Sequence, residues 1–245
     1  MWDRKAVQRY EEWFATPHGE FAFAQEVKLI SRLVSPWPRR GQKLLEIGCG
    51  PGKFLKVFWK AGFDVTGIDA SPAMIEAAKR CIGDRSELFL GKAEHLPFDD
   101  NEFDFVALLT VLEFTDDPAI ILKEAARVAR KGLLVSFLNK YSLYYLSHGL
   151  SLPFVPRRSL HKARWLSYFS LKSLALSTFG YKPARTKSVL PGPKSTWIDK
   201  KPWRWLNGCV YCGPMGSYCA VRFDFVGQKP LNPLFSFTTE PGLSG

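Results

Sequence analysis

The 245-residue sequence predicts an α/β fold, a Rossmann-like doubly wound parallel sheet, and three observations carry that prediction. Short apolar runs alternate with amphipathic stretches from Lys43 to Phe137, the pattern of successive βαβ units. The first run, Leu44-Leu45-Glu46-Ile47, passes through Gly48-Cys49-Gly50-Pro51-Gly52 directly into a helix. The length suffices for one substantial core with room for one insertion, so a single domain is expected.

Residues Asp3 to Phe14 read as a helix with Val7, Tyr10, Trp13 and Phe14 on one face. Thr16-Pro17-His18-Gly19 reads as a breaker before a second helix, Phe21 to Val34, closed by Ser35-Pro36-Trp37-Pro38. This N-terminal helical segment, residues 1–40, either forms a lid over a ligand pocket or simply covers the sheet. Strand Lys43 to Gly48 then opens the core, residues 41–138, and leads into helix Lys53 to Ala61. In that helix Phe54, Val57, Phe58 and Ala61 recur at i, i+3, i+4 and i+7, which gives one face to pack on the sheet. Strand Asp64 to Asp69, helix Pro72 to Cys81, strand Glu87 to Leu90, strand Phe103 to Leu109, helix Pro118 to Arg130 and strand Gly132 to Phe137 follow. Right-handed crossovers bring the loops that leave these strands to one edge of the sheet, where ligands bind.

Residues Asn139 to Ser170 break the rhythm with Tyr141, Tyr144, Tyr145, Pro153-Phe154-Val155-Pro156 and Arg157-Arg158, and read as an inserted cap, 139–170. The remainder, 171–227, reads as helix Leu171 to Phe179, strand Arg185 to Leu190, loop Pro191 to Gly216 and a last strand Tyr218 to Val226. The tail, 228–245, is expected to be poorly ordered.

The net charge of +11 is uneven: Lys and Arg balance Asp and Glu at 20 each through residue 140, and outnumber them 14 to 3 beyond it. Trp165, Trp197, Trp203 and Trp205 are interleaved with those cations. Such a surface suits an anionic small molecule, an anionic membrane face or nucleic acid, or is only a solvated face. No apolar run approaches the roughly 18 to 20 residues of a spanning helix, and the N-terminus lacks a signal-peptide core. Five cysteines at irregular spacing argue for reduced thiols and against a disulfide scaffold, so a cytoplasmic location is expected.

The loop reads Gly-x-Gly-x-Gly, whereas a pyrophosphate-binding loop reads Gly-x-Gly-x-x-Gly and uses backbone N–H groups at the helix start. Pro51 has no N–H, a loss that a cofactor without phosphates would not feel. Asp69, at the end of the second strand, can accept both hydroxyls of a ribose, or is a turn residue. Ser71 before Pro72 suits a helix N-cap. Cys209-Val210-Tyr211-Cys212 with Cys219 is half of a zinc pattern, and no metal is assigned to it.

Five stretches, Glu46 to Gly52, Gly67 to Met74, Ala93 to Phe98, Phe103 to Val106 and Glu124 to Val128, resemble the class I S-adenosylmethionine-dependent methyltransferases. Within that class they are similar to the branch of quinone-biosynthesis and other small-molecule enzymes, over residues 40–140. The resemblance implies a seven-stranded sheet with an antiparallel last strand, S-adenosylmethionine as cofactor, and in-line methyl transfer to a small-molecule acceptor. It sets Gly48 and Gly50 against the methionine part with Glu46 nearby, and Asp69 on the ribose. Ala70 and Met74 would flank the adenine, Ala93 with Glu94 would sit at its edge, and Leu109 and Thr110 would lie beneath the methyl group.

The chain departs from the family pattern in three places. Lys92 stands where many relatives have an Asp that accepts from the adenine amino group, so adenine must be read by backbone or another acceptor. Val111-Leu112-Glu113-Phe114 lacks the histidines many relatives carry, which leaves Glu113 as the one candidate general base, with a local salt bridge or cap as its alternative. Arg130-Lys131-Gly132-Leu133 replaces a Pro-Gly-Gly turn. His95, His148 and His161 form no metal-ligand pattern. The aromatic and basic content of the cap suggests an aromatic or apolar acceptor carrying negative charge. Two rivals stand beside this reading: a nicotinamide oxidoreductase, and a non-catalytic module of the same fold that binds nucleic acid or an anionic membrane through its basic C-terminal part.

Overall fold

The computed structural model describes residues 4–150 and 163–226. Pro153 to Pro156, Arg157-Arg158, His161 and the tail 228–245 lie outside the described residues. The sheet is built from β1 (Lys43–Ile47), β2 (Asp64–Asp69), β3 (Ser86–Leu90), β4 (Phe103–Leu109), β5 (Ala129–Leu138), β6 (Arg185–Val189), β7 (Tyr211–Cys212) and β8 (Tyr218–Asp224). Their spatial order is β3-β2-β1-β4-β5-β8-β6-β7. The first five strands are parallel, and β8 runs antiparallel between β5 and β6.

The sheet therefore has eight strands, not seven, and the antiparallel last strand holds. The extra strand is the two-residue β7, paired with Lys187 and Ser188 at the edge of a stretch expected to be loop. Side chains fold that stretch back: the Ser188 hydroxyl donates to the Gly213 carbonyl at 2.8 Å and accepts from the Met215 and Gly216 N–H groups. Asn207, fully buried at the end of α8 (Trp203–Asn207), accepts from the Gly192 N–H and donates to Thr196. Neither arrangement has a local periodicity to announce it.

Alternation along the strands feeds two apolar layers. Leu44, Leu134, Tyr218 and Ala220 join the layer under α2 (Pro17–Val34), α3 (Lys53–Ala61) and α4 (Pro72–Ile82). Leu45, Leu133, Val135, Cys219 and Val221 join the layer under α5 (Pro118–Val128) and α7 (Tyr168–Phe179). Burying a Leu or Phe side chain stabilises by about 1.5–3 kcal/mol, so the fully enclosed Phe58, Phe105, Phe137 and Phe223 anchor both faces.

Three boundaries differ from the sequence expectation, each for a local reason. Thr16-Pro17 starts a helix where a breaker was expected: the Thr16 hydroxyl accepts from the Gly19 N–H and Pro17 sits in the first turn. The preceding α1 (Arg4–Ala15) thus runs almost into α2. Likewise Ser167 caps α7 through a reciprocal bond with Ser170, so that helix begins at Tyr168, inside the expected cap. The stretch Ala129 to Lys131, expected as helix end and turn, is the start of β5, with an irregularity opposite Phe103 and Phe105. Asp104, whose side chain is 5 % exposed, draws Arg130 and Lys131 onto β4 and accepts from the Lys43 N–H on β1. Burial alone would raise the Asp104 pKa, yet these donors hold it below the usual carboxylate range.

Of the expected cap, the described part forms α6 (Leu143–His148) and a bridge from Asn139 to Leu166. The basic aromatic surface is thinner than the composition suggests. Trp165 and Trp197 are buried against Tyr144, and only Trp203 and Trp205 stand exposed, on α8. Among the described residues no helix is long and apolar enough to cross a membrane.

Candidate functional site

The site forms where β1, β2 and β4 end and the chain turns into the following loops. Gly48, Gly50 and Gly52 all have positive φ, at 68°, 52° and 76°. At Gly48 a Cβ would also stand 2.6 Å from Val111, so the loops after β1 and β4 can approach only because this residue is glycine. At Gly50 a Cβ would meet only the Met74 sulfur, at 4.0 Å, and this leaves room in front of the loop for a ligand.

The backbone N–H groups of this loop are committed within the protein. Those of Gly48 and Cys49 both bond to the Ile68 carbonyl, that of Gly50 to Asp69, and that of Gly52 to the Cys49 carbonyl. Pro51 has none. The loop therefore offers no cluster of free donors of the kind that holds a pyrophosphate.

Asp69 links the loop to the end of β2. Its Oδ2 accepts from the Gly50 N–H and its Oδ1 from the Ser71 N–H, each at 2.9 Å. An ionised carboxylate has about four acceptor positions, so these bonds leave it capacity to accept from a ligand. Partial burial raises the Asp69 pKa, and the Ser71, Gly50 and Ala70 N–H groups oppose that rise. The Ser71 hydroxyl caps α4 by accepting from the Met74 N–H.

Glu46, 2 % exposed, has its Oε2 without a hydrogen-bond partner. Burial and then the charge of Asp69 raise its pKa well above the ordinary range, with the Leu55 N–H at the start of α3 opposing. Two carboxyls thus face one another with no lysine or arginine ion-paired to either among the described residues, an arrangement that a cation would relieve.

The other expected positions fall around this centre to different degrees. Met74 is buried but packs with Val7 and Ala77, so it also ties α1 to α4. Ala70 is exposed beside Asp69. Ala93 and Glu94 lie half-buried on the loop after β3. Glu124 and Arg127 of α5 hold the continuation of that loop: Arg127 donates to the Leu96 and Phe98 carbonyls and to Asp100, and Glu124 accepts from the Leu96 N–H. Arg127 in turn keeps the Glu124 pKa low. Lys92 is exposed. Leu109 closes β4, and Thr110 follows with φ of 57°, a strained conformation for a β-branched residue. The Thr110 N–H is held by the Ser136 hydroxyl at 3.1 Å.

Glu113 is 1 % exposed. Its Oε1 accepts from the Leu138 N–H at 2.6 Å, its own carbonyl accepts from the Arg164 N–H, and Oε2 has no partner. Burial pushes its pKa up to about 8. One oxygen is thus spent on the end of β5. Cys219 is buried while Cys209 and Cys212 are exposed, so the three thiols do not gather.

Three side chains near the site were not singled out from the sequence. Tyr10 of α1 lies among Glu26, Glu46 and Asp69; burial and these three carboxyls raise its pKa. Glu26 sits on α2 in the same stripe as Ala22, Ile30 and Leu33, and burial pushes its pKa up to about 8. Tyr218 of β8 has a buried hydroxyl among Glu26, Ser136, Thr110 and Glu113. An acid interrupting the apolar stripe of α2 was the one legible signal. The N-terminal helices reach this edge through a chain of edge-on rings, Tyr10, Phe14, Phe23 and Phe54, that joins α1, α2 and α3.

The family described as "Methyltransferase domain" matches residues 45–137. An uncharacterized protein of Methanocaldococcus jannaschii is 36% identical over 141 residues, 56% of this chain and 62% of its own length. A demethylmenaquinone methyltransferase of Staphylococcus aureus is 34% identical over 123 residues, 44% of this chain and 51% of its own. This chain thus spans about half the length of the curated relatives it matches. Among solved structures, a SAM-dependent methyltransferase of Thermotoga maritima, described as a possible histamine N-methyltransferase, superposes with a TM-score of 0.71. The two are 26% identical, over 90% of this chain and 97% of that one. The match spans the glycine loop, Asp69, the Arg127 clamp and β5, the parts that build the site. Residues 45–137 are thus similar to a methyltransferase domain, in a fold shared with a SAM-dependent methyltransferase of known structure.

Proposed function

We propose that the protein is an enzyme that transfers the methyl group of S-adenosylmethionine to a small-molecule acceptor. The observation that carries this reading is the glycine loop: its N–H groups are spent, one of them on the Asp69 carboxylate, and the buried Glu46 carboxyl lies two residues before it with one oxygen unpartnered. A cofactor rich in phosphate would find the loop's own N–H groups already committed and the Asp69 carboxylate beside them. A nucleoside bearing a sulfonium and an ammonium group would find acceptors for its ribose and partners for its cations. The orphaned Glu46 Oε2 and the open space ahead of Gly50 fit such a group.

In this reading Asp69 holds the ribose, and Glu46, Gly48 and Gly50 lie along the methionine part. Ala70, Met74, Ala93 and Glu94 enclose the adenine. Backbone groups of the 93–96 loop read its amino group, because exposed Lys92 cannot accept. Leu109 and Thr110 form the floor below the transferred methyl. The bound cofactor supplies an electrophilic methyl carbon. The protein contributes alignment of the acceptor at near-attack distance and exclusion of water, by the N-terminal helices 1–40 and the segment 139–170. Glu113, committed to the Leu138 N–H, acts as a positioning residue at the end of β5.

Calorimetric titration tests the reading against the nicotinamide rival. S-adenosylhomocysteine or S-adenosylmethionine should bind saturably at micromolar concentration and NAD should not. Binding of NAD alone, or no cofactor binding at millimolar concentration, would overturn it.

A further inference from the structure

We propose that the face carrying α6 and α8 is a docking surface whose partner is an anionic lipid surface. The inference stands apart from the methyltransferase reading and uses no part of it.

Large apolar side chains are spread unevenly over the exterior. Of the fifteen that are exposed among the described residues, eight fall within residues 141–150 and 203–215. Helix α6 is apolar on both sides, and the fold covers only one of them. Its inner side is fixed by Tyr144, whose ring packs on Trp165 and Trp197 with centroids 5.6 and 4.7 Å apart. Leu143, Leu146 and Leu150, at i, i+3 and i+7, share the outer side and are 50 %, 55 % and 41 % exposed.

Hydrogen bonds tie the rest of the patch to this stripe. The buried Asn139 side chain accepts from the Tyr141 N–H and donates to the Pro214 and Gly216 carbonyls, which sets the exposed Tyr141 and Met215 on either side of one amide. Trp197, under Tyr144, donates its indole N–H to the Gly192 carbonyl at 2.9 Å. Asn207, which ends α8, accepts from the Gly192 N–H and donates to the Thr196 carbonyl. The α6 stripe and the exposed Trp203, Trp205 and Leu206 of α8 therefore border the same turn, residues 192–197. Apolar groups gathered in this way on an exterior mark a partner.

Charge selects the partner. Lys140, Lys200, Lys201 and Arg204 are exposed in these stretches, and the one acid among them, Asp199, is ion-paired to Arg204 at 3.6 Å. The Lys201 ammonium lies 5.5 Å from the Trp205 ring centroid. Leucines that enter acyl chains, indoles at head-group depth and ammonium groups on lipid phosphates fit this arrangement. Nucleic acid would pair with the same cations and stack on the tryptophans, but it has no use for the aliphatic stripe of α6. A second copy of the chain would set cations against cations. Among the described residues no helix is long and apolar enough to cross a bilayer, so the contact is with its surface.

The test is flotation of the full chain with vesicles of phosphatidylcholine containing about 30 % phosphatidylglycerol, against phosphatidylcholine alone. Partition onto the anionic vesicles should be at least about tenfold stronger, and raising salt from about 0.1 to about 0.5 M should reduce it about tenfold. Leu143→Ser combined with Leu146→Ser should weaken it about tenfold at unchanged thermal melting temperature, because both side chains are already exposed. Lys200→Gln combined with Lys201→Gln should weaken it about fivefold and flatten the salt dependence. Absence of flotation, equal partition onto both compositions, or a leucine variant that melts and floats like wild type would each overturn the proposal. If the leucine variant melts lower, the lysine variant decides, and unchanged partition there overturns it. Binding of a single-stranded oligonucleotide without flotation, or a dimer in sedimentation velocity that the leucine variant dissolves, would overturn it in favour of that other occupant.

Discussion

Asp69→Asn is the sharpest perturbation of the cofactor side of the site, because it changes one atom and reverses one interaction. The carboxylate accepts at 2.9 Å from the N–H groups of both Gly50 and Ser71. An asparagine can satisfy one of them and must turn its NH2 toward the other, so donor meets donor. Hydrogen bonds to a charged group contribute about 1.5–3 kcal/mol each, and the partial exposure of Asp69 argues for the lower end. Losing one should cost the free protein about 1.5 kcal/mol, readable in urea denaturation. Weakening two charge-assisted bonds to ribose hydroxyls should cost about 3 kcal/mol, or roughly 100-fold in the dissociation constant of S-adenosylhomocysteine. The wild-type pKa of Asp69 is raised, chiefly by burial, so affinity should also fall as acidification protonates it, and the Asn variant should lack that slope. An Asn variant that binds within threefold of wild type, with the same pH profile, would refute the ribose assignment.

Three further substitutions have expected outcomes. Glu113→Gln should keep kcat within about tenfold, since Oε1 is held by Leu138, and a loss of hundredfold or more would return Glu113 to the role of general base. Glu113 has a folded pKa of about 8 against an unfolded value near 4.3, so the native state holds the extra proton and wild-type stability should fall as pH rises across that window. Thermal unfolding from pH 5 to 9 should show a shallower fall for Glu113→Gln. Asp104→Ala should cost about 2 kcal/mol at pH 7 by stranding Arg130 and Lys131. Its folded pKa is depressed, so that difference should persist down to about pH 4 and vanish as pH drops through the folded value, checked by denaturant melts at pH 7, 4 and 2.5. Arg127→Leu removes the bonds from α5 to the Leu96 and Phe98 carbonyls and to Asp100, leaving only the Glu124 bond to the Leu96 N–H, and should lower stability by about 3 kcal/mol; weaker S-adenosylhomocysteine binding should accompany it if that loop encloses the adenine.

The sequence by itself determined the alternating core from β1 to β5, because strand and helix periodicities are local and the glycine loop needs backbone angles that few other residues adopt. It also singled out Asp69 and the phosphate-free character of the loop, since a proline's missing N–H is a covalent fact. Only the tertiary structure decided the rest. The strand at Ala129 forms because Asp104, 26 residues from Arg130, gathers charge across β4. The eighth strand forms because Ser188 reaches Gly213. Trp165 and Trp197 look like surface residues until Tyr144 covers them. Tyr218 reads as an ordinary strand tyrosine until the sheet order sets it opposite Leu138 with its hydroxyl buried. Such pairings depend on which elements the sheet order makes neighbours, and that order carries no local trace.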